Sequence, residues 1–249
     1  MSTDAFVTGG SRGIGRAIVL GLIERGIGCA FTYRSDVTAA EETIAMARSK
    51  NPGVPVRAYP MELADAASVQ TAIEQATADF DGFWIVVSNA GIVKVNATVM
   101  TTDEEWNELI ATNLTGPFQL FREMLMHLLS KKKGGRIIAV TSIVADGASG
   151  QAAYAASKAG LTALVKSIAK EYGPKGITAN VVAPGYIETR MTEGAVSQKH
   201  RDAWIQFCPA KRTGRPEDVA IAVVFLASPE AGFINGEVIH ASGGLNQMP

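Results

Sequence analysis

The chain has 249 residues, 47% of them apolar, and a formal net charge of −1. That length suits one large α/β domain or two small ones, and the charge balance leaves no global basic field to recruit nucleic acid or an anionic membrane. No apolar run approaches the roughly 20 residues needed to span a bilayer, and two cysteines and three histidines without C-x-x-C or H-x-x-H spacing argue against a catalytic metal.

Residues 4–8 read as a short buried strand. It runs into Gly9-Gly10-Ser11-Arg12-Gly13-Ile14-Gly15 and then into the helical pattern Ala17, Ile18, Leu20, Gly21, Leu22. Strand, glycine turn and helix form the mononucleotide-binding unit of a dinucleotide fold. Gly9 allows the tight turn, Gly13 lets a pyrophosphate approach the backbone, and Gly15 lets the helix pack near the strand. Strands two and three are predicted over 27–33 and 54–59, with a polar helix over about 38–50 between them. A helix over 65–80 turns Val69, Ile73 and Ala76 inward, and strand four covers 83–88. A long helix over 103–129 is broken or bent near Gly116-Pro117, because proline removes a donor and clashes with the preceding turn. Strand five over 136–141, a helix over 152–172, strand six over 178–182, a helix over 216–227 and a last strand over 237–240 complete the alternation. Residues 187–212 lack clean periodicity and read as a substrate lid at the sheet's carboxyl edge. No Pro/Ser-rich linker interrupts the series. The expected fold class is α/β: a single Rossmann-type domain over 1–249, with a doubly wound parallel sheet of about seven strands and helices on both faces.

Tyr154 and Lys158 stand at i and i+4 on the 152–172 helix, stacked on one face. A cation beside a phenol favours the phenolate, so Tyr154 is expected to titrate below about 10 and to pass a proton near neutral pH. Tyr and Lys at this spacing also occur on solvated helix faces. Three features add weight. One is the glycine turn. Another is Ser88-Asn89-Ala90-Gly91 after strand four, where small residues leave room in the crevice. The third is Ser142 at the end of strand five, whose hydroxyl would meet the Tyr154 phenol over a substrate carbonyl. A serine there also serves as a cap or turn former.

Strand two ends Thr32-Tyr33-Arg34-Ser35. Arg34 stands about where NAD enzymes place an acid for the ribose 2′-hydroxyl, and Arg12 adds a second guanidinium. Two cations and no acid fit the 2′-phosphate of NADP(H). Tyr33 and Ser35 flank that position, and Asp36 is expected to point away. Cys29 and Cys208 read as reduced, packed thiols. The opening Met1-Ser2-Thr3-Asp4 shows neither a basic segment nor an apolar secretion signal, which points to the cytoplasm.

Thr8-Gly9-x-x-x-Gly13-x-Gly15, Asn89-Ala90-Gly91, Asn113, Ser142, Tyr154-x-x-x-Lys158 and Pro184-Gly185 occur in this order over nearly the whole chain. On these motifs the sequence resembles the short-chain dehydrogenase/reductase family. Within it, Thr8–Gly15 and 180–189 are most similar to the 3-oxoacyl-acyl-carrier-protein reductases. The resemblance implies NADPH-dependent reduction of a 3-oxoacyl thioester, presented by acyl carrier protein or CoA, in fatty-acid or polyketide synthesis. Tyr154 would donate the proton and Ser142 would bond the carbonyl oxygen. Lys158 would hold the nicotinamide ribose hydroxyls, and Asn113 would keep a water in a proton relay. Asn113 alternatively bonds locally within its helix, where Asn is a poor interior residue. The cofactor would be held by Gly9, Ser11, Arg12, Gly13, Ile14 and Gly15, by Tyr33, Arg34 and Ser35, and by Glu62 and Leu63. Asn89, Ala90, Gly91, Tyr154, Lys158, Pro184, Gly185, Ile187 (by its backbone) and Thr189 (by its hydroxyl) complete the set.

The sequence departs from the family pattern at several points. The 143–153 loop is one residue short, so Thr141 stays open beside Ser142. Glu62-Leu63 replaces the usual Asp-Val, whose Asp touches the adenine; Ser88 replaces an Asn, and Ser242 replaces the Asp of Asp-Gly-Gly. Met191, Trp204, Ile205 and Phe207 either line an apolar channel or form the core of a small cap. Lys131-Lys132-Lys133 and Lys175 match basic positions of carrier-protein reductases, for which basic residues beside the cleft would suit an acidic partner, although lysine runs are common at solvated helix ends. A homotetramer, or a homodimer, is the family expectation. Other readings are a reductase of free ketones, sugars or small alcohols, and an NADP(H)-sensing protein without catalysis, which would typically lack the Tyr or Lys retained here.

Overall fold

Seven strands form one all-parallel sheet in the order β3-β2-β1-β4-β5-β6-β7. The structure, a computed structural model, describes residues 4–189 and 198–245. The strands are β1 (Ala5–Val7), β2 (Cys29–Tyr33), β3 (Val56–Pro60), β4 (Ile85–Ser88), β5 (Gly135–Val140), β6 (Ile177–Pro184) and β7 (Val238–Ala241). The helices are α1 (Gly13–Glu24), α2 (Val37–Lys50), α3 (Ala66–Asp79), α4 (Asp103–Ile110), α5 (Gly116–Lys131), α6 (Ala152–Tyr172), α7 (Gln198–Phe207) and α8 (Pro216–Leu226). Strand order reverses between β1 and β4, so a crevice opens at the carboxyl ends of those two strands.

The period-2 alternation of each strand feeds two separate cores, as expected of a parallel sheet buried on both faces. Phe6, Val86, Ile137 and Val181 pack with Val69, Phe121, Leu161 and Val165 beneath α3, α5 and α6. Val7, Phe31, Val87 and Val140 pack with Ile18, Leu22, Val219 and Val223 beneath α1 and α8. Cys29 and Cys208 are both buried, free thiols. Among the described residues no helix is long and apolar enough to cross a membrane, and no group of three or more His, Cys, Asp or Glu gathers as a metal site.

Two element boundaries differ from expectation in ways that matter to the site. Strand six runs to Pro184, because pairing with β7 continues as far as Pro184 and Ala241. The long 103–129 helix is two helices joined by a π-helical turn, Ala111–Thr115, directly before Gly116-Pro117. The cause is Pro117: at α-helical spacing its missing N–H and its ring would both fall on the carbonyl of Asn113. Widening the preceding turn relieves the clash and rotates Asn113 inward.

Candidate active site

The glycine turn leaves β1 and is fastened from two sides. Gly9 and Gly10 donate to the Thr32 hydroxyl (3.3 Å) and carbonyl (2.9 Å) of β2. Asn89 and Ala90, past the end of β4, both donate their backbone N–H to the Thr8 hydroxyl at 3.0 Å. The Asn89 side-chain amide donates to the carbonyls of Thr8 (3.0 Å) and Gly9 (3.3 Å), so this residue latches β4 to the turn. Gly9 and Gly13 have φ of 68° and 54°, in the left-handed region that favours glycine. A Cβ on Gly15 would lie 2.0 Å from the Gly9 carbonyl oxygen, so only glycine fits there. Arg16 and Thr43 were not singled out by the sequence, yet both bond the Ser11 carbonyl at 3.0 Å and tie the turn to α2.

Asp36, Asp65 and Thr102 cap α2, α3 and α4 with their side chains. The start of α1 has no side-chain cap and no acid in its first turn. Its first N–H groups therefore present a positive helix end to the crevice, the arrangement that receives a phosphate. Thr189 reaches back over this turn, its methyl 3.4 Å from where a Gly13 Cβ would stand. Ile14 packs against the α1–α8 core, Leu63 is buried on the other face, and Tyr33 is half-buried where β2 ends.

The expected pair of cations without an acid is not what the fold assembles. Arg34 Nε lies 2.6 Å from Glu62 Oε2, and Arg12 lies 3.8 Å from Asp36 Oδ2. Asp36 does not point away: it caps α2 through the Ala39 amide at 3.0 Å and faces Arg12 as well. The Ser35 carbonyl accepts from Val37 at 3.1 Å.

Ser142, Tyr154, Lys158 and Asn113 converge past the end of β5. Ser142 is extended (φ −169°, ψ 154°) and caps the 3₁₀ turn Ile143–Asp146 by accepting from Val144 at 3.2 Å. Its hydroxyl also hydrogen-bonds the Tyr154 phenol. Thr141 still pairs with β6 through its amide, and its hydroxyl is buried without a partner. Of the two candidates, Ser142 is the one that meets Tyr154.

Tyr154 and Lys158 do share one face of α6, but the electrostatic expectation fails. Lys158 is buried, and its ammonium donates to the Val140 carbonyl at 3.2 Å; the Tyr154 ring centroid is 5.7 Å away. Burial pushes the phenol up to about 12, and the Ser142 hydrogen bond offsets this only in part. Burial also pulls Lys158 down to about 8. Desolvation of both groups outweighs their mutual attraction.

Asn113 is fully buried on the π turn. Its Oδ1 accepts from the Ile92 N–H and its Nδ2 donates to the Ile92 carbonyl, each at 2.9 Å; Nδ2 also donates to the Ser157 hydroxyl at 3.2 Å. The side chain thus clamps the extended segment following β4 onto α6, and Ser157 joins the site without having been predicted. A Cβ on Gly91 would stand 3.0 Å from Asn113 Oδ1 and 3.4 Å from Lys158 Nζ, so Gly91 opens the space in which these groups meet.

Past β6, Gly185 donates to the Ala241 carbonyl at 3.0 Å, and a Cβ there would touch Ser242. Ile187 is buried and bridges to Gly214 through the Tyr186 carbonyl and the Glu188 amide. The Thr213 hydroxyl and the Arg201 guanidinium hold the Glu188 carboxyl below its usual range and tie this segment to α7. Trp204 is buried against Tyr186 with ring centroids 5.7 Å apart, whereas Phe207 is 58% exposed. Ile205 is half-buried, and Met191 lies outside the described residues.

Lys131-Lys132-Lys133 precede β5 and Lys175 precedes β6. They sit at the amino edge of the sheet, a strand length of roughly 20 Å from the catalytic end, and cannot line the cleft of their own chain.

Residues 9–246 match the family model described as enoyl-(acyl carrier protein) reductase, one of the short-chain dehydrogenase/reductase models. The chain is a short-chain dehydrogenase/reductase. The 3-oxoacyl-(acyl-carrier-protein) reductase of Escherichia coli is 44% identical over 242 residues, covering 97% of this chain and 96% of its own. That of Vibrio harveyi is 42% identical over 245 residues, covering 97% and 96%. Among solved structures, levodione reductase is similar with a TM-score of 0.94 at 29% identity, covering 99% of this chain and 98% of its own. A short-chain dehydrogenase/reductase from Serratia marcescens gives 0.92 at 35%, again covering 99% and 98%. This short-chain dehydrogenase/reductase is accordingly an oxidoreductase acting on CH–OH groups with a nicotinamide cofactor. The glycine cradle and the uncapped start of α1 fit that group.

Proposed function

We propose that the enzyme reduces a 3-oxoacyl thioester to the 3-hydroxyacyl thioester with NADPH, in fatty-acid or polyketide synthesis in the cytoplasm. Support comes above all from the hydrogen-bonded Ser142–Tyr154 pair over the buried Lys158, in a chain 44% identical to a named 3-oxoacyl-(acyl-carrier-protein) reductase. Bound NADPH supplies the hydride; the protein supplies orientation, polarisation and a proton. Gly9, Ser11, Arg12, Gly13, Ile14 and Gly15 hold the pyrophosphate end, and Arg34 receives the 2′-phosphate. Asn89, Ala90, Gly91, Pro184, Gly185, Ile187 and Thr189 surround the nicotinamide end.

The Ser142 hydroxyl turns from the phenol to the substrate carbonyl oxygen and polarises it. Tyr154, fully protonated at neutral pH, gives its proton to that oxygen. The Lys158 ammonium compensates the phenolate left behind. The Asn113 side chain is consumed by Ile92 and Ser157, so a relay water falls to its backbone carbonyl, which Pro117 cannot satisfy at α-helical spacing. Segment 187–212 acts as the lid within a single catalytic domain. A homotetramer is in keeping with the exposed Phe118 and Met126 of α5 and the small exposed residues Ala156, Ala159 and Ala163 of α6.

A second reading, reduction of another carbonyl compound, is favoured by the likeness to levodione reductase. Assaying purified enzyme with NADPH on acetoacetyl thioesters and on a panel of free ketones separates the two. Turnover of ketones with none on either carrier-protein or CoA thioester would overturn the leading reading.

A further inference from the structure

We propose that Glu62 is a resident competitor for the cofactor's 2′-phosphate. By occupying Arg34, its carboxylate sets how strongly this enzyme prefers NADPH to NADH. The inference rests on the NADP(H) reading above and adds a residue that tunes it. Parallel pairing of Tyr33 with Pro60, extended by the Met61 amide on the Tyr33 carbonyl (2.9 Å), brings residues 34 and 62 out of the sheet side by side. The Ser68 hydroxyl accepts the Glu62 N–H at 2.9 Å, which fixes the backbone beneath the side chain. From there Oε2 reaches Arg34 Nε at 2.6 Å.

On the other side of the same opening Arg12 faces Asp36. The two guanidinium groups thus meet two carboxylates where a phosphate carrying nearly two negative charges must sit. That phosphate either displaces Glu62 from Arg34 or shares the guanidinium with it against like-charge repulsion. Asp36 cannot withdraw without uncapping α2, because it also accepts from the Ala39 amide. Glu62 caps no helix, and its other oxygen accepts only a long bond from the Ala64 N–H (3.5 Å), so it is the adjustable member. The pair is partly solvated, with side-chain exposures of 68% and 39%, so screening keeps the effect moderate.

The test is direct titration, by calorimetry, of the wild type and Glu62→Gln with NADPH, NADH, 2′,5′-ADP and 5′-ADP. Thermal melts of both proteins check folding. Glu62→Gln is expected to raise the preference for NADPH over NADH, and for 2′,5′-ADP over 5′-ADP, by about three- to tenfold; any adenine contact of Glu62 is common to both members of each pair and cancels in the ratio. An unchanged or smaller preference for the two 2′-phosphorylated ligands in a folded variant, with the wild type still preferring them, overturns the role of Glu62 alone. If neither protein distinguishes NADPH from NADH or 2′,5′-ADP from 5′-ADP, the NADP(H) reading fails and the inference falls with it.

Discussion

The Lys158 ammonium is bonded to the Val140 carbonyl at 3.2 Å and stands 5.7 Å from the centre of the Tyr154 ring. It is a buried cation fixed to the end of β5 and placed beneath the phenol, and among the described residues no carboxylate pairs with it. Its cost and its use can be measured separately.

The cost is a stability term. Burial lowers Lys158 from its ordinary 10.5 to about 8. Between those values the unfolded chain binds more protons than the folded one, so stability rises with pH across that window. Below about pH 8 the whole penalty is present. Lys158→Met is expected to raise stability at pH 7 by about 1–2 kcal/mol, or about 2–8 °C in Tm, and to lose this advantage near pH 10.5. Scanning calorimetry at the two pH values decides it; a variant that melts lower at both would show that the Val140 hydrogen bond outweighs desolvation.

The proposed use is catalytic. With Tyr154 held up at about 12, the phenol stays protonated through the working range, and Lys158 is the group that titrates within it. The kcat/KM for carbonyl reduction reports the free enzyme. It should be flat below about pH 8 and fall above it as the cation is lost. Lys158→Arg, which keeps its charge, should move the break upward by more than a unit even if the plateau is lower. A profile with no break between pH 7 and 9 would remove Lys158 from this role.

Tyr154→Phe deletes the proposed proton donor while keeping the ring and should cost at least about a hundredfold in rate. Ser142→Ala should cost about ten- to a hundredfold in kcat with little change in cofactor affinity. Thr141→Val is the contrast. It replaces a buried hydroxyl that lacks a partner, so activity should be retained and stability unchanged or raised by about 1 kcal/mol. Steady-state rates and thermal melts on the three proteins test the assignment, and it fails if Thr141→Val is the more damaged of the two hydroxyl variants.

Asn113 holds both backbone groups of Ile92. Asn113→Ala leaves the half-buried N–H and C=O of Ile92 without this partner, and should cost about 1–3 kcal/mol in urea unfolding as well as at least about tenfold in rate. Loss of rate with unchanged stability would mean that Ile92 finds other partners.

The motifs with local spacing were legible in the sequence. The glycine turn, the Tyr154–Lys158 face and the strand alternation depend on neighbours within one or two elements, which is what periodicity reports. The Arg34–Glu62 and Arg12–Asp36 pairs were not, because the first is created by the register of β2 on β3 and the second by the way α2 starts. The titration of Tyr154 was read in the wrong direction for a related reason: i,i+4 spacing states adjacency, whereas the shift is decided by burial from all sides. Lys131–Lys133 and Lys175 looked like cleft residues until strand direction placed them at the amino edge. Arg16, Thr43 and Ser157 act through contacts 27 to 44 residues away in the chain, which no local pattern announces.

Among the described residues, none of the hydrogen bonds that fix Ser142, Tyr154, Lys158 or Asn113 passes through α7; they end on Val144, Val140, Ile92 and Ser157, or on one another. The groups proposed to move the proton are thus held from the sheet end, the π turn and α6, apart from α7. With 187–212 as the proposed lid, substitutions in α7 would leave those bonds standing while changing what the enzyme admits.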